Sequence, residues 1–310
     1  MKQIFIDGAV GTTGLEIRER LAGRADLSPI VLPEDRRKDA KARREALNDA
    51  DAVILCLPDD AAREAVALID NPRTKVIDAS TAHRTADHWA YGFAEMGADR
   101  REILAAATQI SNPGCYPTGF IALARPLVKA GIVPADYPFT VNAVSGYSGG
   151  GKALIARFED ADDPHATGTA LRAYGLDMVH KHVPEMLFHA GLDHPPAFLP
   201  SVARAYRGML VEVPLHLRLL NGDAAAIRDA LTDAYQGSAL VSVESADQSE
   251  LLIERCAGTD RMELFAFGGD AAGQVRLVAA LDNLGKGAAG AAVQNLNLAL
   301  GLEELSGLRL

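Results

Sequence analysis

Over the first third of the chain, short apolar runs take turns with charged stretches of helix length. "QIFID", "PIVLP", "DAVILCLP" and "KVIDAS" are rich in β-branched residues and bounded by Gly, Pro or Asp, which predicts strands. "LEIRERLAG", "EDRRKDAKARREALND" and "DDAAREAVALI" lie between them and predict helices. Strands spaced in this way predict parallel βαβ units, with helices on both faces of the sheet. The unbroken apolar "AVILCL" suits a central strand buried on both sides.

From about residue 116 the texture changes. "FTVNAVSGYSG", "GMLVEVPLHLRLL", "LVSVES" and "MELFAFGGDAAGQVRLVAAL" predict longer strands in an antiparallel or mixed sheet with helices on one side. The last segment returns to helical spacing, with Ala289, Val293, Leu296 and Leu300 on one face. The expected fold class is therefore α/β: a Rossmann-type parallel sheet plus an α+β domain. Residues 1–115 with about 286–310 form the first domain, the final helix returning to it, and residues 116–285 form the second.

The 310 residues, 48% hydrophobic and 23% charged, suffice to bury two cores without crosslinks. The net charge of −10 argues against nucleic acid as a general partner. No apolar run approaches the ~20 residues of a membrane span, and no signal-peptide pattern precedes "IFIDG". Cys56, Cys115 and Cys256 are odd in number and widely spaced, which predicts neither a disulfide framework nor a zinc site and favours a reducing cytoplasm.

"DGAVGTTG" sets Gly8, Gly11 and Gly14 between the first strand and a helix, with Thr12 and Thr13 among them. Glycines admit a pyrophosphate to the backbone, and a helix start offers N–H groups and positive dipole. The spacing is G-x-x-G-x-x-G rather than G-x-G-x-x-G, so a dinucleotide loop and an ordinary βα turn both remain open. After the second strand, Glu34 and Asp35 suit a ribose hydroxyl, whereas Arg36, Arg37 and Lys38 suit a 2′-phosphate or form a solvated helix face.

"SNPGCYPTG" holds Cys115 in a turn framed by prolines, just ahead of "TGFIALARPLV", where Phe120, Ile121, Ala124 and Leu127 cluster with helical period. A helix start favours the thiolate, which is the nucleophilic species. Cys56, within an apolar strand, and Cys256 read as core residues. "VHKHVPEM" offers His180 and His182 to manage a proton, with Glu185 to orient an imidazole; in an extended stretch both rings share a face. No third ligand at sensible spacing supports a metal there. "SGYSGGGK" is not a P-loop, because Ala153 follows Lys152, yet it can cradle an anion, and "DASTAHRT" brings Ser80 and Arg84 to a strand end.

With "GAVGTTG", "SNPGCYPTG", "VSGYSGGGK", "HKHVPE" and "DNLGKGAAGAAVQN" in this order, the chain resembles the N-acetyl-γ-glutamyl-phosphate reductases of arginine biosynthesis. It is similar to their shorter branch, within a wider group that includes aspartate-semialdehyde dehydrogenase. The resemblance implies an NADP-binding Rossmann domain, a domain for substrate and subunit contacts, and reductive dephosphorylation of a small acyl phosphate. It implies Cys115 as nucleophile and His180 or His182 as acid–base group, with His180 preferred. The cofactor set it implies is Gly8, Gly11, Thr12, Thr13, Gly14, Arg36 and Arg37, with Asn283 and Gly287 near the nicotinamide. Around the substrate it implies Ser80, Arg84, Asn112, Ser145, Gly146, Lys152 and Glu185, although "AHR" departs from the "ADFR"-like form of the longer branch. A homo-oligomer, dimer or tetramer, with no nucleic-acid or membrane partner, completes the expectation. Aspartyl or aminoadipyl phosphate as substrate, a non-redox Cys/His acyl hydrolase and a non-catalytic NADP sensor are the alternatives.

Overall fold

The computed structural model describes residues 1–37 and 39–310, and the chain divides into two compact units. The first comprises Met1–Ala94, Ala98–Pro113 and Ala288–Leu308. Its strands are β1 (Lys2–Asp7), β2 (Leu27–Ile30), β3 (Ala52–Leu55), β4 (Lys75–Asp78), β5 (Ala90–Tyr91) and β6 (Gln109–Ser111), in the order β2-β1-β3-β4-β6-β5, all parallel. The helices α1 (Thr12–Leu21), α2 (Ala40–Asp49), α3 (Asp59–Ala67) and α4 (Arg100–Ala106) connect them.

Both faces of this sheet are packed, which is why β3 is apolar without alternation. On one face Ile4, Ile54, Ile77 and Ile110 meet Ile17, Leu104 and the final helix, Gly290–Leu300, through Ala292, Val293 and Leu296. On the other, Phe5, Val53, Leu55 and Val76 meet Leu47 of α2 and Ala62 and Ala65 of α3. The single helix expected over "EDRRKDAKARREALND" is instead two pieces, a 3₁₀ turn at Glu34–Arg36 and then α2. Asp39 breaks it, since its side chain caps α2 by accepting from the Ala42 N–H at 2.7 Å. Cys56 lies just past β3 and is half-buried rather than inside a strand.

The second unit comprises Glu95–Gly97, Gly114–Gly287 and Arg309–Leu310. Its elements are α5 (Cys115–Lys129), β7 (Thr140–Gly146), α6 (Gly151–Glu159), β8 (Leu171–Ala173), α7 (Val183–Ala190), β9 (Ala197–Ala203), β10 (Met209–His216), α8 (Ala224–Tyr235), β11 (Val241–Val243), β12 (Met262–Gly269) and β13 (Gln274–Leu281). The sheet is mixed, ordered β11-β12-β13-β10-β7-β9-β8, with β7–β9 and β11–β12 parallel and the other pairs antiparallel. Met209, Val211, Val213 and Leu215 alternate inward along β10. Helix α5 lies on that face at close range: a Cβ on Gly119 would come within 2.8 Å of Val211 Cγ2.

Pro126 sits inside α5 and has no N–H to give the carbonyl of Ala122, four residues back. The Tyr235 hydroxyl of α8 takes that place, donating to Ala122 O at 2.8 Å in the buried interior. Tyr235→Phe leaves the carbonyl without a donor, and we expect a loss of roughly 1–3 kcal/mol in chemical denaturation. A variant as stable as the parent would refute this account of how the helix tolerates its proline.

Candidate active site

Gly114 is the N-cap of α5 and Cys115 its first residue, so the thiol belongs to the first turn rather than preceding the helix. Thr118 Oγ1 donates to Gly114 O at 2.8 Å, and the Gly114 N–H donates to Glu185 Oε1 at 2.7 Å. Glu185 lies in the first turn of α7, whose N-cap is His182. One carboxylate thus ties the cysteine turn to the histidine segment, and α5 and α7 pack together.

The His180–His182 segment is not extended. His182 has helical dihedrals (φ −86°, ψ −14°), because Pro184 and Glu185 begin α7 directly behind it. The two rings still lie side by side, with centroids 4.8 Å apart. The His182 N–H donates to His180 Nδ1 at 3.2 Å, which makes Nδ1 the acceptor and leaves the proton of neutral His180 on Nε2. Burial lowers the His180 pKa below the ordinary imidazole value, with the neighbouring Lys181 charge adding to the effect.

Tyr116, next to the cysteine, presents its ring to His182 at 5.8 Å and to His180 at 6.4 Å. Its hydroxyl donates to Ser201 O at 3.2 Å and accepts from Tyr174 Oη at 3.2 Å. Burial pushes the Tyr174 phenol up to about 12, with a Cys115 negative charge contributing, so both tyrosines stay protonated hydrogen-bond donors at neutral pH.

Gly287 lies against the nucleophile candidate, for a Cβ there would come within 2.8 Å of Cys115 Cβ. Asn283 is two per cent exposed and occupied at both ends, donating from Nδ2 to Ser148 Oγ at 2.9 Å and accepting the Gly208 N–H at 3.0 Å. It fixes the glycine-rich loop after β7. In that loop Gly146 approaches Tyr206 O too closely for any Cβ (2.7 Å), and Ser145 Oγ donates to Gly146 O at 3.1 Å. Lys152, by contrast, is exposed on the first turn of α6.

Within the first unit, the N-terminal loop fits an anionic dinucleotide. Gly8 has φ +86°, and a Cβ on it would meet Cys56 O at 2.3 Å; one on Gly14 would meet Gly8 O at 2.5 Å. Gly11 caps α1 without a side chain, and the buried Thr12 Oγ1 has no hydrogen-bond partner among the described residues. Thr13 follows in the first turn of α1. Arg36 is exposed, Arg37 pairs with Glu34 at 2.5 Å, and Lys38 lies outside the described residues.

Ser80, Arg84 and Asn112 are turned into the first unit. Ser80 Oγ donates to Asp78 Oδ2 at 2.7 Å, and His83 Nδ1 lies 2.6 Å from the same oxygen. Arg84 Nε donates to Asn112 O at 3.0 Å. Asn112 donates from Nδ2 to Ala288 O at 2.9 Å and accepts from Asn295 Nδ2 at 3.0 Å. Sequence reading did not single out Tyr174, Asp282, Glu95 or Lys286. Asp282 and Lys286 lie within a quoted motif, as Tyr116 does, whereas Tyr174 and Glu95 lie outside all of them.

A family model described as "Semialdehyde dehydrogenase, NAD binding domain" matches residues 3–104, and one described as "Semialdehyde dehydrogenase, dimerisation domain" matches residues 115–283. An N-acetyl-gamma-glutamyl-phosphate reductase of Brucella anthropi is 54% identical over 306 residues, covering 96% of this chain and 98% of that protein. The enzyme of the same name from Brucella ovis is also 54% identical, over 96% of this chain and 99% of its own. Among solved structures, an aspartate semialdehyde dehydrogenase II from Vibrio cholerae aligns over 97% of this chain and 98% of its own with TM-score 0.73 at 14% identity. One from Francisella tularensis gives 0.70 at 15% identity, over 96% of this chain and 99% of its own. At such identities these two share the fold. The chain belongs to the semialdehyde dehydrogenase family, among its N-acetyl-γ-glutamyl-phosphate reductases.

Proposed function

We propose that the chain reduces N-acetyl-L-glutamyl 5-phosphate with NADPH to N-acetyl-L-glutamate 5-semialdehyde and phosphate, carrying the acyl group as a thioester on Cys115. The observation that carries this reading is the setting of Cys115: it stands in the first turn of α5, tied through Glu185 to the segment of His180 and His182. The two remaining thiols have no comparable setting. Burial, with Asp78 and Asp7 nearby, pushes the Cys56 thiol up to about 12, and burial does the same to Cys256.

In this mechanism the Cys115 thiolate attacks the acyl carbon and phosphate departs with the electrons of the broken C–O bond. Amides of the helix start hold the oxygen on which charge develops. His180 donates an Nε2–H hydrogen bond to the carbonyl oxygen as that carbon is reduced, and the charge on this oxygen expels the Cys115 thiolate when the C–S bond breaks to release the aldehyde. The dinucleotide, when bound, supplies the hydride. Gly8, Gly11, Thr12, Thr13 and Gly14 would hold its pyrophosphate, and Arg36 favours the 2′-phosphate of NADP. The name of the domain matched over residues 115–283 supports self-association as a dimer or tetramer. Free thiols suit the cytoplasm.

Cys115→Ser should lose turnover by roughly 10³-fold or more while binding NADPH as before. The assay is NADP reduction by N-acetylglutamate semialdehyde with and without phosphate, alongside aspartate semialdehyde; a serine variant that keeps most of its activity removes the nucleophile.

A charged His180 would carry a proton on Nδ1 and lose the His182 N–H bond, so the working form is the neutral ring. Because burial lowers its pKa below 6.5, the rate should hold as pH falls past that value and decline only beneath it. His180→Gln should cost ~10²–10⁴-fold and flatten this limb. If His182→Gln does so instead, the role moves to His182.

A further inference from the structure

The reading of Cys115 as nucleophile leaves unexplained a buried ion pair, one member of which is the chain neighbour of the residue that abuts it. Lys286 Nζ lies 2.6 Å from Glu95 Oε2, with side chains 2% and 1% exposed. Lys286 immediately precedes Gly287, the residue that abuts Cys115. Both belong to a π-helical turn, Gly285–Ala289, in which the Gly287 N–H donates to Asp282 O, five residues back, at 2.9 Å.

We propose that Glu95 and Lys286 are positioning residues for Cys115, their ion pair holding this turn in the π register so that a residue without a side chain faces the nucleophile.

Successive helical residues point about 100° apart, so a register change brings a different residue to the cysteine. Its neighbours there, Lys286 and Ala288, both carry a Cβ, and no Cβ fits at Gly287, where it would lie 2.8 Å from Cys115 Cβ and 3.0 Å from Asp282 O. The π turn is rare and needs support. One end has it: Asp282, fully buried, accepts from the Leu284 N–H at 2.8 Å, the Gly285 N–H at 3.2 Å and the Gly258 N–H at 2.6 Å. Lys286 is the side chain that secures the turn beyond that anchor. Glu95, its partner, lies close enough to Tyr235 for its charge to help keep that phenol protonated, and Tyr235 is bonded to α5, the cysteine's own helix. Stability alone does not call for such a pair, since an apolar replacement of a buried ion pair is often neutral or stabilising. What an apolar pair lacks is direction.

This inference rests on the proposed role of Cys115, and its test separates the two. The double variant Glu95→Leu/Lys286→Met and the single variant Glu95→Gln would be compared with the parent by thermal melting, NADPH titration, semialdehyde kinetics and iodoacetamide labelling of Cys115. The double variant should melt near the parent and keep its NADPH affinity and KM. Its kcat should fall by roughly 10–100-fold, the scale of an ångström misplacement, with labelling slowed about tenfold. Glu95→Gln keeps an oxygen for the Lys286 ammonium, so its kcat should stay within about fivefold even as its melting temperature drops. A double variant with parental kcat and labelling overturns the proposal, as does a Glu95→Gln that melts near the parent yet loses turnover by tenfold or more. Should the double variant not fold, the glutamine variant decides alone. Failure of the nucleophile reading would show separately, as an active Cys115→Ser protein.

Discussion

The bond from the Gly114 N–H to the Glu185 carboxylate is the constraint on which the arrangement of the second unit depends. A charged acceptor makes it stronger than an ordinary backbone bond, and it is made in the buried interior. Its two ends are a helix N-cap and the first turn of another helix, so it fixes how α5 meets α7. Cys115 follows the donor by one residue, and His182 precedes the acceptor by three. A carboxylate first read as an orienter of imidazole therefore governs where the thiol stands. Its negative charge near two helix starts is also favoured by both macrodipoles.

A related economy appears in the first unit, where Asn112 joins segments distant in the chain. Its backbone N–H donates to Asp78 O at 2.7 Å, its backbone carbonyl accepts Arg84, and its side chain meets Ala288 and Asn295. Asn295, fully buried on an otherwise apolar helix face, also donates to Gly92 O at 2.9 Å. Its donors are spent on the residues just past β5 and β6, Gly92 and Asn112. Asn112, Arg84 and Ser80 look like ligand contacts in the sequence because they are polar residues at strand ends. In the structure Arg84 bonds Asn112, and Ser80 bonds Asp78.

The architecture was legible because it depends on periodicity. Alternating apolar runs and helical stretches give the parallel sheet, and the spacing of Ala289, Val293 and Leu296 gives the last helix its buried face. Local chemistry overrides pattern at Asp39, which caps α2 and so divides what reads as one charged helix. Strands of two or three residues, such as β5 and β6, carry too little pattern to register. The cysteine, the glycines and the histidines were visible as motifs. Their supports were not, because Glu95 with Lys286 and Tyr174 with Tyr116 are pairings across 191 and 58 residues that no local spacing encodes.

Composition offers three equivalent thiols, and solvation makes them unequal. With its thiol pushed up to about 12, Cys56 carries about one thiolate in 10⁵ at neutral pH, and Cys256 the same. Burial thus disfavours the nucleophilic form of both. Cys115 differs in kind of environment rather than in degree of burial: it is half-buried at a helix start, next to Tyr116, and faces a glycine backbone. Mutating Cys56 or Cys256 to a small apolar residue alters packing in a core, whereas at Cys115 the same change falls at the first residue of α5, against Gly287.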